Sequence, residues 1–339
     1  MALDVLVVSV DGTPGWTAAA GELVAALRRA GADVALAGTG SVPLVRTFAL
    51  TDLVQARAAR TAALAGMAEH SPRAVIYCSM TAALLWPRPG AVWFDSVAAE
   101  NRPGRHGVWQ RVVERRRLAE APMVLAMSPR ALDALPDVRA DAVVPVPVAP
   151  SGVSAGEHDA RGRDAGGGDA GGRDVAAVTY GANPAKRRLD LVLAAWSRAR
   201  NPGETLVVAG LERYRSAIPA GVELVGRMAP EEYRALLRRS RLFVTAPLRE
   251  DYGIAALEAL ADGCMLVTTP ALGAYPAADL ARELDPRLVT DDLPKALRVA
   301  LDDPVAGYSD RAAALLEPYS REALDRTLAE EVLPRLLAA

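Results

Sequence analysis

Two carboxylates stand eight residues apart in Leu248-Arg249-Glu250-Asp251-Tyr252-Gly253-Ile254-Ala255-Ala256-Leu257-Glu258-Ala259-Leu260-Ala261-Asp262-Gly263, with Gly253 between them. The run Leu242–Ala246 before them reads as a buried parallel strand, and Gly253–Asp262 reads as a helix. A strand, a short loop and a helix bring free backbone N–H groups and the positive end of a helix dipole to the carboxyl edge of a sheet. That arrangement binds phosphate. Gly253 permits close backbone approach, and Ile254 opens the same turn. Glu258 lies among Ala255, Ala256, Leu257, Ala259 and Leu260, so its helix reads as buried and the carboxylate needs partners. A carboxylate in the helix can bond sugar hydroxyls, while Glu250 in the loop reaches further along the same ligand. Such a site suits a nucleotide diphosphate sugar.

A second cluster, Tyr180-Gly181-Ala182-Asn183-Pro184-Ala185-Lys186-Arg187-Arg188-Leu189-Asp190, joins a strand end to a basic helix start. Cations in a first helical turn oppose the dipole. That cost favours an anionic ligand for Lys186 and Arg187, such as a diphosphate. A third stretch, Trp93 to His106, follows another strand and carries Asp95, Asn101, Arg102, Arg105 and His106. Arg102, Arg105, His106 and Arg111 could bind an anionic acceptor. The alternative is that Arg111 to Arg117 form a solvated helix face.

The first stretch resembles the E-x7-E motif of retaining GT-B fold glycosyltransferases, most like family 4. That pattern runs roughly E-x-F-G-x-x-x-x-E-A-x-A-x-G, then a hydrophobic strand and a Gly-containing turn. Glu250, Tyr252, Gly253, Glu258, Ala259, Ala261 and Gly263 fill it here, followed by Leu266–Thr269 and by Gly273-Ala274-Tyr275-Pro276. The resemblance implies ribose binding by Glu258 and contact of Glu250 with the donor sugar or the reacting centre. It also implies a Gly-rich turn after the first strand, where Gly12 and Gly15 stand; an ordinary strand-to-helix turn would look the same. In the family's G-R-x-x-x-x-K-G-x-D pattern, Gly181 and Asp190 are in register and Arg187 takes the lysine's place beside Lys186. Ala182 replaces the arginine, so one phosphate-neutralising cation is missing or is supplied by Lys186 and Arg188. Where family members carry a His-Asp pair, this chain has Phe94-Asp95, which leaves Asp95 as the polar group there.

Composition and organisation fit that resemblance. The 339 residues, 24% charged and 51% hydrophobic, are enough for two soluble domains with their own cores. The net charge of -2 gives no argument for nucleic acid. Cys78 and Cys264 lie in apolar strand-like runs and read as buried thiols. Three scattered histidines and no C-x-x-C leave no transition-metal site. Leu3–Val10 is too short and too early for a signal peptide, and no run of about 18 apolar residues offers a membrane span. The expected location is cytoplasmic, with at most peripheral membrane contact.

Strands are expected at Val5–Val10, Asp33–Ala37, Ala74–Cys78, Ala91–Phe94, Met123–Ala126 and Ala142–Val146, alternating with helices at Trp16–Ala30, Thr51–Glu69 and Gly107–Glu120. After the break they recur at Ala176–Tyr180, Thr205–Ala209, Glu223–Val225, Leu242–Ala246 and Met265–Thr269. Helices there are Leu189–Arg200, Pro230–Ser240, Gly253–Asp262, Asp292–Leu301 and Arg321–Leu337. The alternation argues for an α/β protein with two Rossmann-like, doubly wound parallel-sheet domains facing a cleft. The first covers 1–150 and the second, nucleotide-sugar-binding, covers 175–320. Between them 151–174, SGVSAGEHDARGRDAGGGDAGGRD, reads as a flexible Gly-rich linker. Residues 321–339 are the last helix, which the resemblance implies crosses back to the first domain.

The expected activity is metal-independent retaining glycosyl transfer from a nucleotide diphosphate sugar to a small-molecule, glycan or lipid-linked acceptor, with no cofactor. A non-catalytic GT-B partner subunit and a GT-B sugar-nucleotide epimerase are the alternatives. A dinucleotide oxidoreductase would need G-x-G-x-x-G after a strand, which the chain lacks. Because shortening a flexible loop changes closure entropy only slightly, deleting Gly156 to Gly172 should leave folding and turnover nearly intact. A collapse of the melting temperature in the deletion variant would show an ordered, structural segment.

Overall fold

The computed structural model describes residues 3–12, 14–43, 45, 47–152 and 172–338. The core of the Gly-rich segment, 153–171, lies outside the described residues. The chain divides into two units: unit 1 comprises Met1–Pro147 with Pro318–Ala339, and unit 2 comprises Val148–Glu317.

Unit 1 is a six-stranded, all-parallel sheet in the order β2-β1-β3-β4-β5-β6. Its strands are β1 (Val5–Ser9), β2 (Val34–Gly38), β3 (Ala74–Cys78), β4 (Ala91–Phe94), β5 (Val124–Ala126) and β6 (Ala142–Val143). Val5 faces Val34 on one side and Ala74 on the other, which sets the register of the three central strands. Every residue of β1, β3 and β4 is buried, as continuous apolar runs require when helices cover both sheet faces. The helices are α1 (Pro14–Arg29), α2 (Phe48–His70), α3 (Met80–Ala83), α4 (Ala98–Asn101) and α5 (Val108–Glu120). Trp93 is fully buried and its indole N–H donates to the Val144 carbonyl at 2.7 Å.

Unit 2 is a five-stranded parallel sheet in the order β11-β10-β7-β8-β9. The strands are β7 (Val175–Tyr180), β8 (Leu206–Ala209), β9 (Val222–Gly226), β10 (Ser240–Thr245) and β11 (Met265–Thr268). Its helices are α6 (Pro184–Arg187), α7 (Leu189–Ala199), α8 (Pro230–Arg239), α9 (Ile254–Ala261), α10 (Pro276–Leu284), α11 (Leu293–Asp302) and α12 (Tyr308–Leu315). The two cysteines are free and buried, one in each unit.

Several expectations need correcting. The expected strand Ala142–Val146 is only two residues long, and α10 and α12 were not foreseen. The ends of the 151–174 segment are anchored within unit 2. Ser151 N–H donates to Asp262 Oδ1 at 2.8 Å, and the Arg173 guanidinium donates to the carbonyls of Leu237, Ser240 and Asp262.

The expected single helix Arg321–Leu337 is broken into α13 (Arg321–Thr327), a π turn over Leu328–Val332, and α14 (Leu333–Ala338). Leu333 N–H bonds the Leu328 carbonyl, five residues back. Pro334 explains the break, because it has no N–H to donate and its ring crowds the carbonyl four residues earlier. This segment docks on unit 1 through Arg29 to Asp325 at 2.7 Å and Arg335 to Asp141 at 2.5 Å.

No helix among the described residues is long and apolar enough to cross a membrane. Leu328 is fully buried at the π turn, so Leu328→Ala should cost about 2–5 kcal/mol of unit 1 stability. Urea denaturation followed by circular dichroism measures this; a loss below 1 kcal/mol would mean the tail contributes little to that core.

Candidate active site

In unit 2 the chain starts at the central strand β7, runs outward through β8 and β9, then returns to β10 on the other side of β7. The loops after β7 and β10 therefore diverge, and open α/β sheets bind ligands at such a reversal, beyond the carboxyl ends of the strands. Lys186 and Arg187 follow β7, and Glu250 and Gly253 follow β10. Three loops are laced together there by backbone bonds. Leu248 N–H donates to the Lys186 carbonyl at 3.0 Å, Glu250 N–H to Leu272 at 2.8 Å, and Tyr275 N–H to Glu250 at 3.2 Å.

Glu250 is buried, 6% exposed, and meets Arg187 at 2.5 Å and Lys186 at 3.6 Å. The Arg187 guanidinium also lies 5.9 Å from the Tyr180 ring centroid. Two cations face one carboxylate, which leaves one positive charge in excess among these three groups. Arg188, with φ 45°, turns away: its guanidinium donates to the Ala246 carbonyl at 2.7 Å and to Thr269 Oγ1 at 2.8 Å. It cannot stand in for the arginine missing at Ala182. The expected conflict with the helix dipole is absent as well. α6 is a single turn, Pro184–Arg187, too short to sum a dipole of any size, and Arg188 breaks the chain before α7 starts.

Gly253 caps α9 in the left-handed region at φ 81°, with no side-chain cap on the helix. A Cβ there would sit 3.0 Å from Glu250 Cγ and 3.1 Å from the Tyr275 ring. Tyr275 is itself left-handed at φ 37° and buried, with its hydroxyl 3.1 Å from Thr268 Oγ1. Gly273, at φ 95°, passes so close to the Glu250 carbonyl that a Cβ would lie 2.5 Å from it.

Glu258 departs from expectation. Only Ala256, Leu257, Ala259 and Leu260 of α9 are buried, and Glu258 and Ile254 lie on a half-exposed face. Arg234 of α8 approaches Glu258 at 3.6 Å and is held by Asp262 at 2.5 Å. Desolvation raises the Glu258 carboxyl above the usual carboxylate value; Asp262 adds to the rise and Arg234 opposes it. The Tyr233 hydroxyl beside this group is buried and has no hydrogen-bond partner among the described residues.

In unit 1 the residues singled out are more dispersed. Gly12 and Gly15 are exposed, in the loop after β1 and in the first turn of α1. Phe94 is fully buried in the core at the end of β4, so nothing at that position can touch a sugar. Asp95, half-buried, accepts from Ser96 Oγ at 3.2 Å, and Asn101 Nδ2 donates to Ser96 Oγ at 2.7 Å. Arg102 is not a free anion ligand. It forms a bidentate pair with the buried Asp52 at 2.7 and 2.9 Å. Arg111 donates to the carbonyls of Arg102 and Gly104. Arg105 is exposed, while the side chain of His106 lies outside the described residues. Among the described residues no group of three His, Cys, Asp or Glu side chains could hold a metal ion.

Residues 175–303 match the family model described as "Glycosyl transferases group 1". A search of curated proteins by sequence gives no match. Solved structures with the same fold include WaaG, a glycosyltransferase involved in lipopolysaccharide biosynthesis. It is 13% identical with TM-score 0.65, over 97% of this chain and 99% of that one. The α,α-trehalose 6-phosphate synthase from Burkholderia multivorans is 14% identical with TM-score 0.66, over 100% and 99%. The sucrose-phosphate synthase from Thermosynechococcus elongatus is 16% identical with TM-score 0.64, over 100% of both chains. The fold is GT-B, and residues 175–303 are a group 1 glycosyltransferase domain.

Within this glycosyltransferase domain, sequence reasoning missed Arg234 and Asp262, which are 28 residues apart and join only in the fold. It also missed the left-handed Tyr275. In unit 1 it missed Ser79, held at φ 103° at the reversal between β1 and β3, where such backbone strain clusters at ligand sites. A positive φ at a residue other than Gly leaves no mark in the sequence. Gly253→Ala should lose about 1–2 kcal/mol from the left-handed backbone alone, and more from crowding Glu250. Chemical denaturation reads the effect, and a variant as stable as the parent would show that the turn relaxes freely.

Proposed function

We propose that this protein is a retaining, metal-independent glycosyltransferase of the family 4-like kind. In this reading it moves a sugar from a nucleotide diphosphate sugar to a small-molecule, glycan or lipid-linked acceptor in the cytoplasm. One observation carries the proposal: Lys186, Arg187, Glu250 and the Gly253 start of α9 converge at the strand reversal of unit 2. The donor diphosphate would take Lys186, Arg187 and the α9 N–H groups, including Ile254, and would displace Glu250 from its two cations. Freed in this way, Glu250 turns to the donor sugar. Glu258, one helical turn beyond Ile254, binds the ribose hydroxyls.

The bond from the anomeric carbon to the diphosphate oxygen breaks as the acceptor oxygen bonds the same face. The acceptor proton passes to the departing phosphate oxygen. Protein cations stabilise the charge on that leaving group, which is the largest contribution that preorganised charge makes to such reactions. Asp95 contacts the sugar or the reacting hydroxyl. Asn101, Arg105 and His106 line the acceptor side, and Arg102 acts there only through its pair with Asp52. Gly12 and Gly15 allow the donor to approach the backbone. No cofactor takes part.

Combining Lys186→Ala with Arg187→Ala should lower turnover by on the order of a hundredfold or more. Activity should survive EDTA, and the product anomer, read by NMR, should match the donor. An inverted product, or activity lost to EDTA and restored by magnesium, would overturn the mechanism. Binding of a nucleotide sugar without any turnover would point to a non-catalytic GT-B subunit instead.

A further inference from the structure

Glu114 sits in the middle of α5, is 1% exposed, and forms no ion pair among the described residues. Both of its oxygens accept the Ala98 N–H, Oε1 at 2.9 Å and Oε2 at 2.7 Å, and the Ala99 N–H also bonds it. The N-terminal turn of a helix has unpaired N–H groups that a Ser, Thr, Asp or Asn cap usually satisfies. In α4 the capping position is Val97, which has no side-chain acceptor. A carboxylate from a different helix does that work.

What hangs on this contact is the loop that follows β4. α4 carries Asn101, Asn101 donates to Ser96, and Ser96 donates to Asp95. The far end of the loop is tied separately: Arg102 pairs with Asp52, Gln110 donates to Asp52 at 3.2 Å, and Arg111 holds the Arg102 and Gly104 carbonyls. Glu114 thus anchors the front of α4 from a different helix.

We propose that Glu114 is a positioning residue whose ionised carboxylate clasps the front of α4 and so holds Asp95, through Ser96 and Asn101, in the arrangement of this structure. Protonation removes acceptor capacity from the oxygen that gains the hydrogen, and the clasp loosens. That Asp95 acts on a sugar rests on the function proposed above; the clasp itself does not.

Among the described residues the charged groups that act on Glu114 are few. Arg102 comes from the loop, with Asp52 of α2 behind it, and Arg115 comes from α5; the neighbouring α3, Met80–Ala83, has no charged side chain. Burial raises the carboxyl from 4.5 to about 7, against the lowering by the Ala98 and Ala99 N–H groups, Arg102 and Arg115. A raised folded-state value means that the stability from the protonated form is fully present below pH 4.5 and is lost as pH rises through about 7. Ionisation therefore costs global stability while it orders the loop.

The test is amide hydrogen exchange of Ala98 and Ala99 between pH 5.5 and 8.5, in the ligand-free protein, with each rate divided by its intrinsic value. Protection in the wild type should rise with a midpoint near pH 7, and in Glu114→Gln it should not vary with pH. The melting temperature of Glu114→Gln relative to wild type should shift in favour of the variant as pH rises. If the variant does not fold, the carboxyl carbon of Glu114 in the wild type is titrated by NMR. A midpoint below pH 5.5, or wild-type protection independent of pH, overturns the proposal. These readouts need no donor or turnover, so a failed activity assay bears on the proposed function and not on the clasp.

Discussion

Glu250 is almost withdrawn from water, and a carboxylate in that position needs partners, which Arg187 and Lys186 supply in the ligand-free protein. The converse also holds. Arg187 is 18% exposed and needs an anion nearby. Each side keeps the other in place without a ligand, and one positive charge is left over. The pairing thus holds two cations at the strand reversal without leaving a bare charge in the interior.

This pairing depends on backbone geometry more than on side-chain choice. Lys186 and Glu250 belong to different loops that meet because Leu248 bonds the Lys186 carbonyl and Glu250 bonds Leu272. The ladder that orders the strands is in effect continued past their ends, joining the β7, β10 and β11 loops into one platform. Such a continuation needs the chain to turn sharply at Arg188, Gly253, Gly273 and Tyr275, all at positive φ. Two of the four are glycines, which bear this without strain. Arg188 and Tyr275 are not; the hydrogen bonds of Arg188 and the burial of Tyr275 over-determine their conformations.

The sequence shows the sheets well and their edges poorly. Val5–Ser9 and Leu242–Val244 read as strands because a parallel sheet covered on both faces demands unbroken apolar runs. The E-x7-E stretch is equally plain, since strand, loop and helix follow one another within about twenty residues. What escapes local reading is anything joined over distance. Asp52 and Arg102 are 50 residues apart, and neither residue type nor spacing announces their pair. Arg102 therefore looked available to a ligand when the fold had already committed it. Helices such as α12, YSDRAAAL, bury only Tyr308 and Ala312, and so show little periodic pattern to find. The split between α6 and α7 is invisible because an arginine, not a glycine, takes the left-handed step.

The two departures from the family pattern do not carry equal weight. Phe94 is a core residue of β4 with no exposed surface, and the first polar side chain after it is Asp95, one position on and outside the strand. Ala182 is half-exposed in the loop after β7. Arg188 does not make up for the missing arginine, because it is spent on the Ala246 carbonyl and Thr269. Among the described residues that leaves Lys186 and Arg187 as the cations paired with Glu250 at the strand reversal. The N–H groups of α9 add positive charge at the same place, where Gly253 leaves the helix start without a side-chain cap.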